Sequence, residues 1–310
     1  MWFFDAAGVR RAVSPQEAFT AVREAFTAYA RGEWSMPPKV YVTNYPAGDF
    51  RAMPAIGGGH ALLKWVTSFP GNPARGLPTV TGLVLLSDAE DGRLLAALDA
   101  AAVTSLRTAA AAVLAAETLR RPDASTYAVV GSGVNGAETA RMLVTLGITP
   151  LIWDRDEHRR RAVAEELGVV AATSAAEALA CDVVMTVTPG AEILYEEGSL
   201  RAGQHVSLMG ADGPGKAEVA LAELQRARLF CDDWDQASHG GELTLAAEAG
   251  VVKRTDVTEL GAVLVGEAVG RRSADEITLF DSTGLAIQDL AVAKVALAKE
   301  AELELPAIEL

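Results

Sequence analysis

The residues best able to do chemistry in this chain are glycines set in a row and charges set in apolar surroundings. Tyr127 to Val130 is an apolar run suited to a buried parallel strand, and it leads into Gly131-Ser132-Gly133-Val134-Asn135-Gly136. In such a GxGxxG turn the first glycine permits the tight bend. The second lets backbone approach a pyrophosphate with no Cβ in the way, and the third lets the next helix pack close to the strand. The helix N-terminus then offers free N–H groups to phosphate. A second apolar run, Pro150 to Trp153, ends in Asp154, about 20 residues further on, where a carboxylate can accept from ribose hydroxyls. Glycine turns alone are common; the strand, helix, second strand and acid around this one make it a dinucleotide site.

The isolated charges are of another kind. Lys64 lies inside Leu62-Leu63-Lys64-Trp65-Val66, where it is either a functional amine or a lysine snorkelling at a sheet edge. Arg107, within the alanine-rich stretch from Ala100 to Leu119, is costly to bury without an anionic partner. Lys39 and Arg51 project from two extended stretches, Met36 to Thr43 and Phe50 to Ala55. Asp212 and Lys216 fall in Gly210-Ala211-Asp212-Gly213-Pro214-Gly215-Lys216, after an apolar run ending at Met209.

These residues need elements to position them. Ser14-Pro15-Gln16-Glu17 supplies an N-cap, a first-turn proline and an acidic third residue, so a helix runs to about Tyr29 and stops near Gly32. Thr79 to Ser87 and Leu94 to Leu98 form a hairpin, and Ala100 to Leu119 a helix. Beyond the glycine turn, strands at Asp182 to Val187, His205 to Met209, Leu229 to Cys231 and Ile277 to Phe280 alternate with helices at Ala175 to Ala180 and Ala217 to Arg226. A last helix spans Leu285 to Lys299. Such alternation predicts a doubly wound parallel sheet whose ligands lie beyond the carboxyl ends of the strands. Those ends are Thr186-Val187-Thr188, the Gly210 loop and Ser282-Thr283-Gly284.

Composition narrows the function classes. A chain of 310 residues exceeds one comfortable hydrophobic core, so two domains are expected. With 41 acidic against 27 basic residues it repels nucleic acid and anionic membrane, leaving small molecules or another copy of itself as partners. Cys181 and Cys231 sit in apolar runs as reduced core thiols, and the scattered histidines have no metal-ligand spacing. Met1-Trp2-Phe3-Phe4 meets Asp5 too early for a signal sequence, and no uninterrupted apolar stretch reaches the ~18 residues of a membrane span. A cytoplasmic location is expected.

Taken together, MPPKV, DFRAMPA, LKWVTSFPGNP, GLPTV, TSLRTAAA, GADGPGK and ITLFDSTGLAIQDLAVAK resemble the ornithine cyclodeaminase/μ-crystallin family over essentially the whole chain. Within it, RAMPA, GADGPGK, DDWDQASHGGE and FDSTGLAIQD look most like the archaeal-type alanine dehydrogenases. The resemblance implies an α/β homodimer with two domains. Residues 1–115, completed by a C-terminal helix at 290–310, form an α+β domain for substrate and dimerisation, and residues 116–289 form a Rossmann domain for NAD. It implies Lys64 and Asp212 as the catalytic pair, Lys39 at the substrate carboxylate and Arg107 at that carboxylate or near the cofactor; Lys39, Arg51 and Arg107 are expected to read substrate charge, at least one of them meeting the carboxylate. The implied cofactor contacts are Arg107, Thr108, Gly131, Ser132, Gly133, Val134, Asn135, Gly136, Asp154, Arg155, Thr186, Val187, Thr188, Gly210, Ala211, Asp212, Lys216, Ser282, Thr283 and Gly284. It leaves Asp232, Asp233 and His239 without a role.

The implied reaction is oxidative deamination of L-alanine to pyruvate and ammonia, and its reverse. Ornithine cyclisation, reduction of a cyclic imino acid such as pyrroline-2-carboxylate, and simple storage of nicotinamide nucleotide are the alternatives. Where ornithine cyclodeaminases carry a glutamate for the distal ammonium, this chain has Arg51, and two cations ~4 Å apart repel by ~1 to 4 kcal/mol. Asp154 favours NAD over NADP, while Arg155 beside it leaves room for some use of NADP.

Overall fold

The computed structural model describes every residue except Asp212, Pro214 and Leu310. The chain forms two compact units, residues 1–107 with 285–310, and residues 108–284. The first begins with β1 (Trp2–Phe4), α1 (Ala6–Ala12) and α2 (Pro15–Ala30), continues through β2 (Val40–Asn44), β3 (Gly48–Gly57), β4 (His60–Ser68), β5 (Val80–Asp88) and β6 (Leu94–Asp99), and leads into α3 (Ala100–Leu119). Its sheet runs β1-β6-β5-β4-β3-β2, antiparallel except where β1 joins β6 in parallel. The expected capping box opens α2: Ser14 accepts from Glu17 N, and Glu17 accepts from Ser14 N at 2.9 Å. The stretch expected to be extended from Met36 pairs only from Val40, because two prolines precede Lys39 and a proline has no N–H for a ladder.

Register decides which way each side chain of this sheet faces. Met53 pairs with Lys64 and Lys64 with Val84, and this row is buried against the helical side, where α11 (Ala286–Leu297) packs on β3, β4 and β5. One residue along, Ala52 pairs with Trp65 and Trp65 with Leu83, which places Trp65 and Leu83 on the opposite, open face. Lys64 is therefore a core lysine; it does not snorkel from an edge.

The second unit is built on β7 (Tyr127–Val130), β8 (Leu151–Trp153), β9 (Val170–Ala171), β10 (Val183–Thr186), β11 (His205–Leu208), β12 (Arg228–Cys231), β13 (Val257–Glu259) and β14 (Thr278–Asp281). They form one sheet in the order β13-β12-β14-β11-β10-β7-β8-β9, parallel throughout, as the alternation predicted. Between the strands lie α4 (Val134–Thr145), α5 (Glu157–Leu167), α6 (Ala175–Leu179), α7 (Leu221–Arg226), α8 (Trp234–Gly240), α9 (Thr244–Glu248) and α10 (Leu260–Leu264). The helix expected from Ala217 starts only at Leu221. The N–H groups of Glu218 and Val219 donate instead to the Glu242 carboxylate, at 2.9 and 2.7 Å, and Val219 bridges Tyr195. The apolar helix α3 is long enough to cross a membrane by length and composition, yet its most apolar window is 78% buried within the fold.

Candidate functional site

In the first unit the sequence-predicted charges gather around a carboxylate that the sequence had not singled out. Lys64 Nζ donates to Asp289 Oδ1 on α11 at 2.8 Å and to Thr104 Oγ1 on α3 at 2.6 Å. Arg107 Nε stands 3.6 Å from the same Asp289 oxygen, and Arg107 Nη1 donates to Gln288 Oε1 at 3.4 Å. Asp289 is the anion that Arg107 required. Lys64 and Asp289 are both essentially inaccessible, so their charges feel little solvent screening. Burial drives the Lys64 pKa down to about 8; Asp289 opposes this, while Arg107 and Arg51 reinforce it. Arg107 Nε, Gln288 Nε2 and Asp289 Oδ2 remain buried with no hydrogen-bond partner. Orphaned polar atoms concentrated in one cluster mark a place where a polar ligand or water completes the bonding.

Arg51 shares the face of Lys64, two residues from Met53 along β3. Its guanidinium is held by Asp49, Nε to Oδ1 at 2.6 Å and Nη2 to Oδ2 at 3.2 Å, and lies over the Tyr41 ring. Repulsion of a diamino acid by Arg51 is offset by Asp49, but Asp49 is itself engaged and gives a distal ammonium no unmatched carboxylate. Lys39 is half-buried immediately before β2.

In the second unit the glycine turn has the expected geometry. Gly131 adopts φ +99°, and a Cβ there would lie 2.5 Å from the Val187 carbonyl oxygen. A Cβ on Gly136 would collide with the Gly131 carbonyl, whereas one on Gly133 would meet nothing. Gly133 caps α4 without any side-chain hydrogen bond, so the first N–H groups of that helix, around Val134 and Asn135, have no side-chain cap. Asp154 Oδ2 accepts from Ser132 N at 2.7 Å and Ser132 Oγ at 3.0 Å, pinning the turn to the end of β8. Burial works against its charge, but the N–H donors of Ser132 and Asp156 prevail and hold its pKa below the usual range. Arg155 is exposed and pairs with Glu192 at 3.1 Å. Thr108 Oγ1 is buried without a partner. An open glycine and a helix N-terminus with no side-chain cap are what a bound dinucleotide phosphate would satisfy, so these residues fit the group.

The strand-end loops are braced by buried acids, which answers for several residues that sequence left without a role. Asp232 Oδ2 accepts from the N–H of Thr283 and of Gly284, each at 2.8 Å, and from Ser282 Oγ. Asp233 caps α8 by accepting from Gln236 N, and His239 Nδ1 lies 2.7 Å from the Asp235 carbonyl. Thr186 is fully buried and Val187 half-buried, while Thr188 donates to Glu218. Gly210 and Ala211 are buried and Lys216 is half-buried. Asp212, the expected partner of Lys64, lies outside the described residues. Among the described residues no group of His, Cys, Asp and Glu is arranged to hold a metal ion, and Cys181 and Cys231 are free and buried.

The ornithine cyclodeaminase/mu-crystallin family matches residues 3–302. An alanine dehydrogenase of Archaeoglobus fulgidus is 44% identical over 294 residues, covering 93% of this chain and 91% of that protein. An ornithine cyclodeaminase of Agrobacterium tumefaciens is 33% identical, over 83% of this chain and 74% of that one. Among solved structures, an archaeal alanine dehydrogenase dimer with bound NAD superposes with a TM-score of 0.92 at 41% identity, covering 97% of this chain and 96% of the other. The Thermococcus litoralis Delta(1)-pyrroline-2-carboxylate reductase, in complex with NADH and L-proline, does so with a TM-score of 0.91 at 26% identity, covering 97% and 98%.

Proposed function

The chain belongs to the ornithine cyclodeaminase/mu-crystallin family, and within it we propose that this protein is an NAD-dependent amino-acid dehydrogenase that deaminates L-alanine oxidatively to pyruvate and ammonia, and runs the reverse. The observation that carries the reading is the matched set of charges around Lys64. Asp289 beside Lys64 and Asp49 beside Arg51 are both already engaged by a cation, so the site suits a substrate with one carboxylate, one amine and a small uncharged side chain. The similarity to alanine dehydrogenases supports it.

The overall change is alanine, NAD⁺ and water to pyruvate, ammonium, NADH and a proton. Bound NAD⁺ supplies the acceptor for the Cα hydride. Arg107 is assigned the substrate carboxylate, bound by charge-assisted hydrogen bonds, with Lys39 and Arg51 as the further cations proposed to read substrate charge. Lys64, as the free amine, takes a proton from the substrate ammonium; as the ammonium, it returns one when the carbinolamine expels ammonia. Asp289 holds the Lys64 amine in place and moderates its basicity. Asp212 is assigned the activation of water that adds to the iminium. In the second unit Asp154 takes the ribose hydroxyls, and the N-terminus of α4 takes the pyrophosphate.

The open face of the first unit's sheet carries Val40, Ile56, Leu63, Trp65 and Leu83, each more than a third exposed. An apolar row of that kind is covered in a stable protein, and we assign its cover to a second copy of the chain, giving a homodimer. The function is tested by offering NAD⁺ with alanine, ornithine and other amino acids, and NADH with pyruvate plus ammonia or with pyrroline-2-carboxylate. Net NADH from alanine supports the assignment. Proline from ornithine without net NADH, or reduction of the cyclic imine alone, would replace it.

A further inference from the structure

We propose that Glu218 is a positioning residue for cofactor capture: its buried carboxylate clasps the loops that leave β10 and β11, and so sets the backbone on which NAD is held. The proposal rests on the reading that the second unit binds NAD. Glu218 is fully buried and lies outside any helix, in the segment that precedes α7. Its Oε2 accepts from Thr186 Oγ1 at 2.5 Å and Gly210 N at 3.3 Å, and its Oε1 accepts from Thr188 Oγ1 at 2.5 Å. One carboxylate thereby joins the end of β10, the loop after it and the loop after β11.

The surrounding backbone is shaped to admit that carboxylate. A Cβ on Gly210 would come within 2.6 Å of the Glu218 carboxyl carbon, so only glycine leaves room. Gly190, at φ +68°, packs against the Gly210 carbonyl, and its own carbonyl accepts from Ala217 N at 3.0 Å. The Glu218 main chain is fixed as well. Its carbonyl accepts from Leu194 N and Tyr195 N, and its N–H donates to Glu242. A fully buried carboxylate is an expensive brace, since burial opposes its charge and only donors can offset that. Here the donors come from loops at the carboxyl ends of parallel strands, where doubly wound sheets bind their ligands. Thr186 has no exposed surface, so it reaches a ligand only through neighbours, of which Glu218 is the one its hydroxyl meets at the shortest distance.

Titration of NADH fluorescence gives the Kd for NADH, and thermal melting of the same samples reports the fold. Glu218→Gln and Thr186→Val are each expected to raise Kd about tenfold or more, and Thr186→Ser, which keeps the donor, by less than about threefold. The double variant should be little weaker than the weaker-binding single variant, because both changes act on the same Thr186–Glu218 contact. A folded Glu218→Gln with an unchanged Kd overturns the proposal, even where its melting temperature falls, because Glu218 is then a structural brace only. Should Glu218→Gln fail to fold, equal Kd values for the valine and serine variants of Thr186 overturn it. Wild-type protein that binds no NADH removes the cofactor reading and this proposal together, whereas wild-type binding with indifferent variants removes the proposal alone.

Discussion

Lys64 shows what a single position reveals and what it hides. A lysine in an apolar run stands out in sequence, but its partner is 225 residues away on the last helix, and no local pattern connects them. Asp289 was hidden within FDSTGLAIQD, and Thr104 and Gln288 are polar residues of a kind found on any helix. The buried network yields a pH dependence with a definite sign. Because the Lys64 pKa is lowered to about 8, the amine is protonated below that pH and free above it. Alanine oxidation, which needs the base, should rise through pH about 8, and reductive amination, which needs the acid, should fall through it. Asp289 opposes the shift, so Asp289→Asn should move both limbs to lower pH, read from kcat profiles; an unmoved limb would detach Asp289 from Lys64. The same change leaves Lys64 and Arg107 facing each other without an anion, so denaturant melts should show a loss of about 3–5 kcal/mol. Lys64→Met should still bind NADH while losing turnover by ~10² or more.

Among the elements, the glycine turn was fully legible because each of its requirements is local. A positive φ, a carbonyl against a Cα and an acid at the next strand end are all written within one βαβ unit. The start of α7 was not legible, since Ala217 to Arg226 reads as helix and only the distant Glu242 carboxylate diverts its first residues. The short helices α1 and α5 were passed over although Asp5 and Asp156 cap them in the ordinary way. The turn separates two roles that are usually confounded. Gly136→Ala drives a methyl into the Gly131 carbonyl, so both melting temperature and NADH affinity should fall. Gly133→Ala meets no protein atom and requires no unusual φ, so its melting temperature should stay near wild type while the Kd for NADH rises. Equal Kd values for Gly133→Ala and wild type would mean that the phosphate does not approach this backbone.

At the scale of the molecule, the doubly wound sheet followed from alternation, whereas the six-stranded sheet of the first unit had to be seen. Only its β5–β6 hairpin was read from sequence; β3 meets β4 across Gly58-Gly59, the segment 69–79 joins β4 to β5, and β1 enters from the far N-terminus to pair with β6. That register, offset by one residue, puts Lys64 inside and Trp65 outside, so the roles proposed for catalysis and for assembly fall on neighbouring positions of β4. Trp65→Glu should therefore yield monomers by light scattering, and a dimer of unchanged mass would place the interface elsewhere. The central claim, that this chain moves a hydride from the α-carbon of alanine to NAD⁺ with net release of ammonia, is tested most directly with L-alanine deuterated at Cα. Deuterated NADH should accumulate in equal amount with pyruvate and ammonia, and Lys64→Met should slow that accumulation by ~10² or more. Absence of label in the nicotinamide, or turnover of ornithine to proline with no NADH accumulating, would contradict it.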